Sequence, residues 1–523
     1  VEASRKPVPR WVDGVIVVAV MLIAAIVRWQ GIEFGLPEAL HPDEPGVFEA
    51  AARLWQTGRL ESEMWKYPPL MVELVAVQLG LAQGVGVCEA PCPGPEVLAM
   101  GRKLSASMGV LAVGATYGAI RTAGFRPWVA ALGATLLAVN PLHTQSSRYV
   151  KPDVMTTAFV AMALWGAIGI LRATTTPRLW RWYGLAALGI GLAGGAKYNA
   201  ALVCVAVIVA HFVRQGLGWR RQLPLVLAGV ASIAVFALTL AWVWTGPAPL
   251  MDGLAHEWGH YKEGHEGYTT EHALMDALGY LWRFGWTPLA MLVLLVGGVF
   301  ALRGQVRERT TSAAMLALVL VYLALLSRQT VFFARLLIPI LPALAIATAI
   351  AAAAIVRVAA NRIPTSALRL APLGIFVLVA ALPIRNGLRQ AQAMARPDTR
   401  EVAHAWMREH LPKDAYIGIV PGTYKVPAVN GWWRYRVMRL IDAGTARRTR
   451  LTHVVVSVSA YDRFTRFRER FPEEAQRFET WHEALARDAT KIAEFTDAPL
   501  PGVDEFGSTV AFMHHPVIEV WEL

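Results

Sequence analysis

Apolar positions along this chain come in long unbroken runs rather than in the alternation of a sheet. From Asp13 to Trp29, and repeatedly up to residue 384, the runs approach the length of about 18 or more residues that a helix needs to cross a bilayer. After Asp13–Trp29 they fall near 98–120, 127–143, 152–171, 182–195, 197–213, 223–244, 284–302, 312–327, 333–356 and 366–384, eleven predicted crossings in all. The run at 182–195 is short and rich in glycine. Residues 69–87 are also apolar but carry Glu73, Gln78 and Gln83, and predict a helix that lies at the interface or re-enters. Beyond residue 384 the pattern changes. Thr399–His410 has amphipathic helical spacing, Ala415–Val420 and His453–Val458 read as buried strands, Tyr461–Phe471 and Glu473–Arg487 as helices, and Val517–Trp521 as a last strand. The predicted fold is a polytopic α-helical membrane protein with interfacial helix in its first external loop, residues 1–384, followed by a small α/β soluble domain, residues 385–523.

Charge orients the spans. Arg5, Lys6 and Arg10 precede the first one, and Arg121/Arg126, Arg172/Arg178/Arg181, Arg214/Arg220/Arg221, Arg303/Arg307/Arg309 and Arg357/Arg362 crowd later turns. By the positive-inside rule these segments and the N-terminus are cytoplasmic. Residues 31–68, with seven acids against three bases, are then external, as are the turns at Asp153, Lys197, 245–281 and Arg335 and the C-terminal domain. If 69–87 crossed, every later arginine turn would flip outward. No small-residue cleavage site follows Asp13–Trp29, which therefore reads as an anchor.

Composition adds limits. Hydrophobic residues make up 55% of the 523 and charged ones 17%, and the net charge of +12 sits in loops between spans, which argues against nucleic-acid binding. Three cysteines make no disulfide framework. Cys88 and Cys92 fall on the predicted external side, where a short-loop disulfide and two free thiols both remain open.

Against this background the polar residues beside spans stand out. His41-Pro42-Asp43-Glu44-Pro45 puts two adjacent carboxylates soon after span one, a pattern fit for general-base work or for a hard cation. An ordinary solvated helix start explains it as well. Asp153, after Pro152 and before a long span, is a good helix start on the same predicted side. Lys66 and Tyr67 open the interfacial helix, Lys197 follows Gly194-Gly195, and Arg335 precedes a span. With Arg148, the cations Lys197 and Arg335 face outward against the rule, as groups neutralising an anionic head group would. The loop 245–281 holds His256-Glu257-Trp258-Gly259-His260, a short HExxH match that raises zinc and a divalent metal, though Gly259 and Gly264 weaken any helix there.

Taken together, Asp43-Glu44, Tyr67-Pro68-Pro69-Leu70, Arg102, Asp153, Gly195-Ala196-Lys197 and Arg335-Leu336-Leu337-Ile338-Pro339-Ile340-Leu341-Pro342 resemble, over most of residues 1–350, the GT-C membrane glycosyltransferases. The likeness is to the protein O-mannosyltransferase and lipid A aminoarabinose-transferase group, glycosyltransferase family 39-like. The resemblance implies an inverting transferase that moves a sugar from a polyprenyl-phosphate donor to a hydroxyl of a lipid, glycan or protein in the cell envelope, at the outer face of a bacterial plasma membrane. It implies Asp43 as base, Asp153 as orienting carboxylate, and Lys66, Lys197 and Arg335 on the donor phosphate. His265 maps to a Gly-His-x-Gly element of the long loop. No inserted β-trefoil domain is recognisable, which leaves the acceptor open, and this chemistry requires no nucleotide site, while a divalent metal stays open. Two other classes fit parts of the sequence: a membrane metalloprotease on His256, Glu257 and His260, and a transporter of lipid-linked sugars that uses the cations without a base.

Overall fold

The computed structural model describes residues 9–38, 40–58, 67–87, 95–240, 248–263, 270–360, 370–420, 426–429, 431–438, 440, 443–465, 467–497 and 515–523. The apolar part consists of α1 (Arg10–Trp29), α2 (Glu44–Thr57), α3 (Leu70–Gly84), α4 (Pro95–Thr122), α5 (Pro127–Ala138), α6 (Pro141–Ser146), α7 (Pro152–Arg172), α8 (Thr176–Ala196), α9 (Cys204–Gln215), α10 (Leu223–Leu238), α11 (Ala248–Glu263), α12 (Ala273–Tyr280), α13 (Pro288–Leu302), α14 (Val306–Leu326), α15 (Leu341–Ala359) and α16 (Ala371–Met394). Proline opens α5, α7 and α13, where its missing N–H costs no intrahelical bond.

Among the described residues, seven helices are long and apolar enough to span a membrane, or eight if the bent pair Ala273–Gly285 and Pro288–Leu302 counts as one. The eleven predicted crossings therefore include shorter apolar helices, α5 and α10, and α8, whose first turns are polar. The fold is a polytopic helical one, and several boundaries differ from the pattern. Arg178 and Arg181, expected in a turn, lie inside α8. The run 284–302 is not straight: its first residues continue α12, and the chain bends by 112° before α13. The run 127–143 breaks at Asn140, whose side chain accepts from the His143 backbone N–H at 3.1 Å and starts α6. The last run continues past residue 384 to Met394. Residues 70–84 form a helix of 15 residues packed on α2 through Val47, Ala51, Met71 and Val75.

α7 is the hub of the bundle, touching α4, α8 and α9 and buried along nearly its whole length. Small residues let backbones meet there: a Cβ on Gly166 would stand 2.7 Å from the Ala186 nitrogen, and one on Gly189 would stand 2.6 Å from the Ala163 nitrogen. In lipid such close packing replaces the hydrophobic drive between helices. The start of α7 is thereby fixed against the end of α8.

The C-terminal part contains α17 (Thr399–His410), β1 (Tyr416–Val420), β2 (Arg434–Val437), α18 (Ala443–Arg448), β3 (His453–Ser457), α19 (Asp462–Thr465), α20 (Pro472–Asp488), β4 (Thr490–Phe495) and β5 (Ile518–Glu522). The sheet order is β2-β1-β3-β5-β4, parallel from β2 to β3 and antiparallel around β5. α17 packs one face through Ala403 and Met407, and α20 packs the other through Phe478, Trp481 and Leu485. The helix expected over Tyr461–Phe471 shrinks to the single turn of α19.

Candidate active site

Asp43 is the N-cap residue of α2, yet its carboxylate makes no cap hydrogen bond. It turns instead to Lys151, whose Nζ donates to Oδ2 at 2.6 Å, and to Arg335, whose Nη1 lies 3.4 Å from the same oxygen. Lys151 immediately precedes α7, and its Nζ also stands 3.8 Å from Asp153 Oδ2. Asp153, in the first turn of α7, accepts from Lys197 Nζ at 2.6 Å. Lys197 is the C-cap of α8, with the Tyr67 ring 6.0 Å from its Nζ. Arg335 lies in the 3-10 turn Ala334–Ile340, its guanidinium 4.7 Å from the Phe333 ring centre. Four separate stretches of chain thus place three cations and two carboxylates in one cluster.

Exposure separates the two carboxylates. The Asp43 side chain is 39% exposed, whereas those of Asp153, Lys151 and Lys197 are each 5% exposed. Asp43 is the acid an incoming molecule can reach. The Lys151 ammonium and the Arg335 guanidinium hold its carboxyl well below the usual carboxylate range, against the effect of burial. Burial together with Arg335 pushes the Lys151 ammonium down. His41 is buried, packs tilted against the Tyr149 ring at 4.2 Å between ring centres and accepts from the Asp43 N–H at 3.2 Å through Nδ1. Burial lowers its pKa well below the ordinary value, so the ring is neutral and Nδ1 is free to accept.

The description "Dolichyl-phosphate-mannose-protein mannosyltransferase" belongs to the family model that matches residues 51–246. Among solved structures, ArnT from Cupriavidus metallidurans bound to undecaprenyl phosphate is 16% identical, with 98% of each chain covered and a TM-score of 0.52. Its apo form aligns at 15% identity over 96% of this chain and 97% of that one, again with a TM-score of 0.52. The apo oligosaccharyltransferase of Archaeoglobus fulgidus is 15% identical, with 87% of this chain and 70% of that one covered and a TM-score of 0.52. No curated protein sequence matches. The match to that family covers residues 51–246, and over nearly its whole length the chain shares the fold of the ArnT structures.

Not every residue expected at the site is in this cluster. Glu44 parts from Asp43: Arg102 grips it through Nε and Nη2 at 2.9 and 2.7 Å, both side chains are 0% exposed, and the Val150 N–H donates to Oε1 at 3.0 Å. Glu44 and Arg102 brace the loop instead of facing the cleft. Arg148, expected near the head group, is fully buried and donates to the carbonyls of Gln30 at 2.9 Å, Thr144 at 2.8 Å and Val27. Its charge serves helix ends. Lys66, His265, Cys88 and Cys92 lie outside the described residues. His256 is exposed on α11, the side chains of Glu257 and His260 are outside the described ones, and among the described residues no cluster of His, Cys, Asp or Glu is arranged for a metal. Lys151 is the residue that sequence reasoning missed. Its signal was available, because it precedes Pro152-Asp153 on the side already carrying cations against the positive-inside trend.

Proposed function

We propose that this protein is an inverting membrane glycosyltransferase that moves a sugar from a polyprenyl-phosphate donor to a hydroxyl acceptor at the outer face of the membrane. The observation that carries the reading is the meeting of one reachable carboxylate, Asp43, with Lys151 and Arg335, beside the Asp153–Lys197 pair. In the reaction Asp43 accepts the proton of the acceptor hydroxyl. The acceptor oxygen bonds to the anomeric carbon, the bond from that carbon to the phosphate oxygen breaks, and the polyprenyl phosphate leaves with the electron pair. The leaving group is already anionic, so cations serve it better than a general acid would. Arg335, with its planar fork, and Lys197 are the groups assigned to the phosphate, and Lys66 is a third. Base and phosphate clamp on opposite sides of the sugar give inversion.

The resting cluster also explains how a strongly ionised aspartate becomes a base. While Lys151 and Arg335 both hold Asp43, its proton affinity is low. A donor phosphate competes for Arg335 and loosens the hold on the carboxylate at the moment the acceptor needs it. Asp153 holds Lys197 and Lys151 in place and orients the acceptor. The N-terminus is assigned to the cytoplasm and the C-terminal domain, taken from residue 385, to the outside of a bacterial plasma membrane, with a lipid, glycan or protein as acceptor.

Asp43→Asn tests the reading. Loss of a general base lowers kcat by about 10²–10⁴-fold, while binding of undecaprenyl phosphate is kept or tightened because the cations remain and no longer have Asp43 as a competitor. A variant that still transfers sugar at the wild-type rate would sink the assignment. A protein whose wild type moves lipid-linked sugar across vesicles without transferring it is a transporter.

A further inference from the structure

The soluble domain is tied to the loop that carries Asp43. Arg400, in the first turn of α17 and 1% exposed, donates through Nε and Nη2 to the two oxygens of Asp398 at 2.7 and 2.8 Å. Its Nη1 points across to the Leu40 carbonyl at 3.5 Å, one residue before His41 and three before Asp43. Asp398 also accepts the His515 N–H at 3.0 Å, and His515 Nε2 meets the Ala393 carbonyl at 2.9 Å, so the arginine fork is anchored to α16 and to the lead-in of β5 together. One residue on, Glu401 is half-buried, near the backbone of Gly35 in the same loop. Where α16 ends, Gly31 (φ +71°) passes so close that a Cβ there would stand 2.6 Å from the Met394 carbonyl carbon. Met394 packs with Phe34 and Tyr149, and Tyr149 carries the ring of His41.

On its other side the same loop is held by Arg102, whose Nη1 donates to the carbonyls of Ile32 and Phe34 at 2.9 and 2.7 Å. The loop is therefore gripped from α4 below and from the soluble domain above. The α4 grip is within the bundle. The α17 grip joins two parts of the fold.

We propose that the Asp398–Arg400 pair and Glu401 form a positioning clasp, through which the soluble domain sets the loop Gly31–Asp43 and so the reach of Asp43 to Lys151 and Arg335. In this arrangement the soluble domain is a working part of the active site even if it never touches the substrate. The proposal rests on the transferase reading for its effect on rate, but not for its effect on the loop.

The test uses the full-length protein with Arg400→Met and, as a milder variant, Glu401→Gln. Hydrogen exchange is followed over Gly31–Asp43, over β1, β3 and β5, and over α7, beside steady-state kinetics and binding of undecaprenyl phosphate. A positioning clasp gives faster exchange over Gly31–Asp43 by about tenfold or more with the strands still protected. It also gives a kcat lowered by up to about 10²-fold for a misplaced group and unchanged binding of undecaprenyl phosphate. Unchanged protection of Gly31–Asp43 in both variants overturns the proposal, as does loss of protection over loop and strands together in both, which marks general unfolding. A wild type that transfers no sugar would remove the transferase reading, yet the exchange result would still decide whether the clasp exists.

Discussion

At the scale of single residues, the informative contrast is between neighbours, Asp43 and Glu44. Both are acids beside prolines, and nothing local distinguishes them. One is open and shared between Lys151 and Arg335, and the other is locked in a buried two-point pair with Arg102. Breaking a buried pair leaves a charge without compensation, so Arg102→Met is expected to destabilise the protein by about 3–5 kcal/mol, read as a lowered thermal midpoint in detergent. The pH dependence follows from the direction of the Asp43 shift. Its folded pKa is depressed, so the carboxylate stays ionised well below neutrality and the stability its ion pairs supply is lost only as pH falls through that lowered value. Donor phosphate draws Arg335 away and raises the pKa. The acid limb of kcat is therefore expected at higher pH than that of kcat/KM, and coincident limbs would argue against the exchange of partners. Lys151→Met removes the largest cause of the depression, and the acid limb of kcat/KM should move upward.

At the scale of elements, the apolar pattern found the helices because each span satisfies its own backbone groups, a local property. It erred where a neighbour decides. The bend before α13 and the break at Asn140 depend on packing that a hydropathy run does not contain. β2 and β4 went unread because they are the edge strands of the sheet: Arg434–Val437 is exposed throughout, and Thr490–Phe495 lacks a buried apolar stripe. The close crossing of α7 and α8 is testable. Gly166→Val wedges the helices apart where a Cβ has no room, with an expected cost of about 1–3 kcal/mol for overpacking. Because Asp153 starts α7 and Lys197 ends α8, the same variant should weaken undecaprenyl phosphate binding as well as the thermal midpoint.

At the scale of the whole molecule, the arrangement predicts sidedness. With native cysteines replaced, Arg303→Cys should be labelled by an impermeant maleimide only after the membrane is opened, and Thr452→Cys in intact cells. The opposite pattern would put the Asp43 cluster on the cytoplasmic face. Sequence alone was enough to specify a many-span helical protein followed by a mixed domain, and to mark Asp43, Asp153, Lys197 and Arg335, because a charge placed beside a bilayer is costly enough to stand out. Tertiary structure alone decided the pairings. Lys151 meets Asp43 across 108 positions, Arg335 meets it across 292, and Lys197 meets Asp153 across 44. Those meetings depend on how each helix is rotated and where each loop runs, which the packing of small residues such as Gly166 and Gly189 fixes and no local run of residues records.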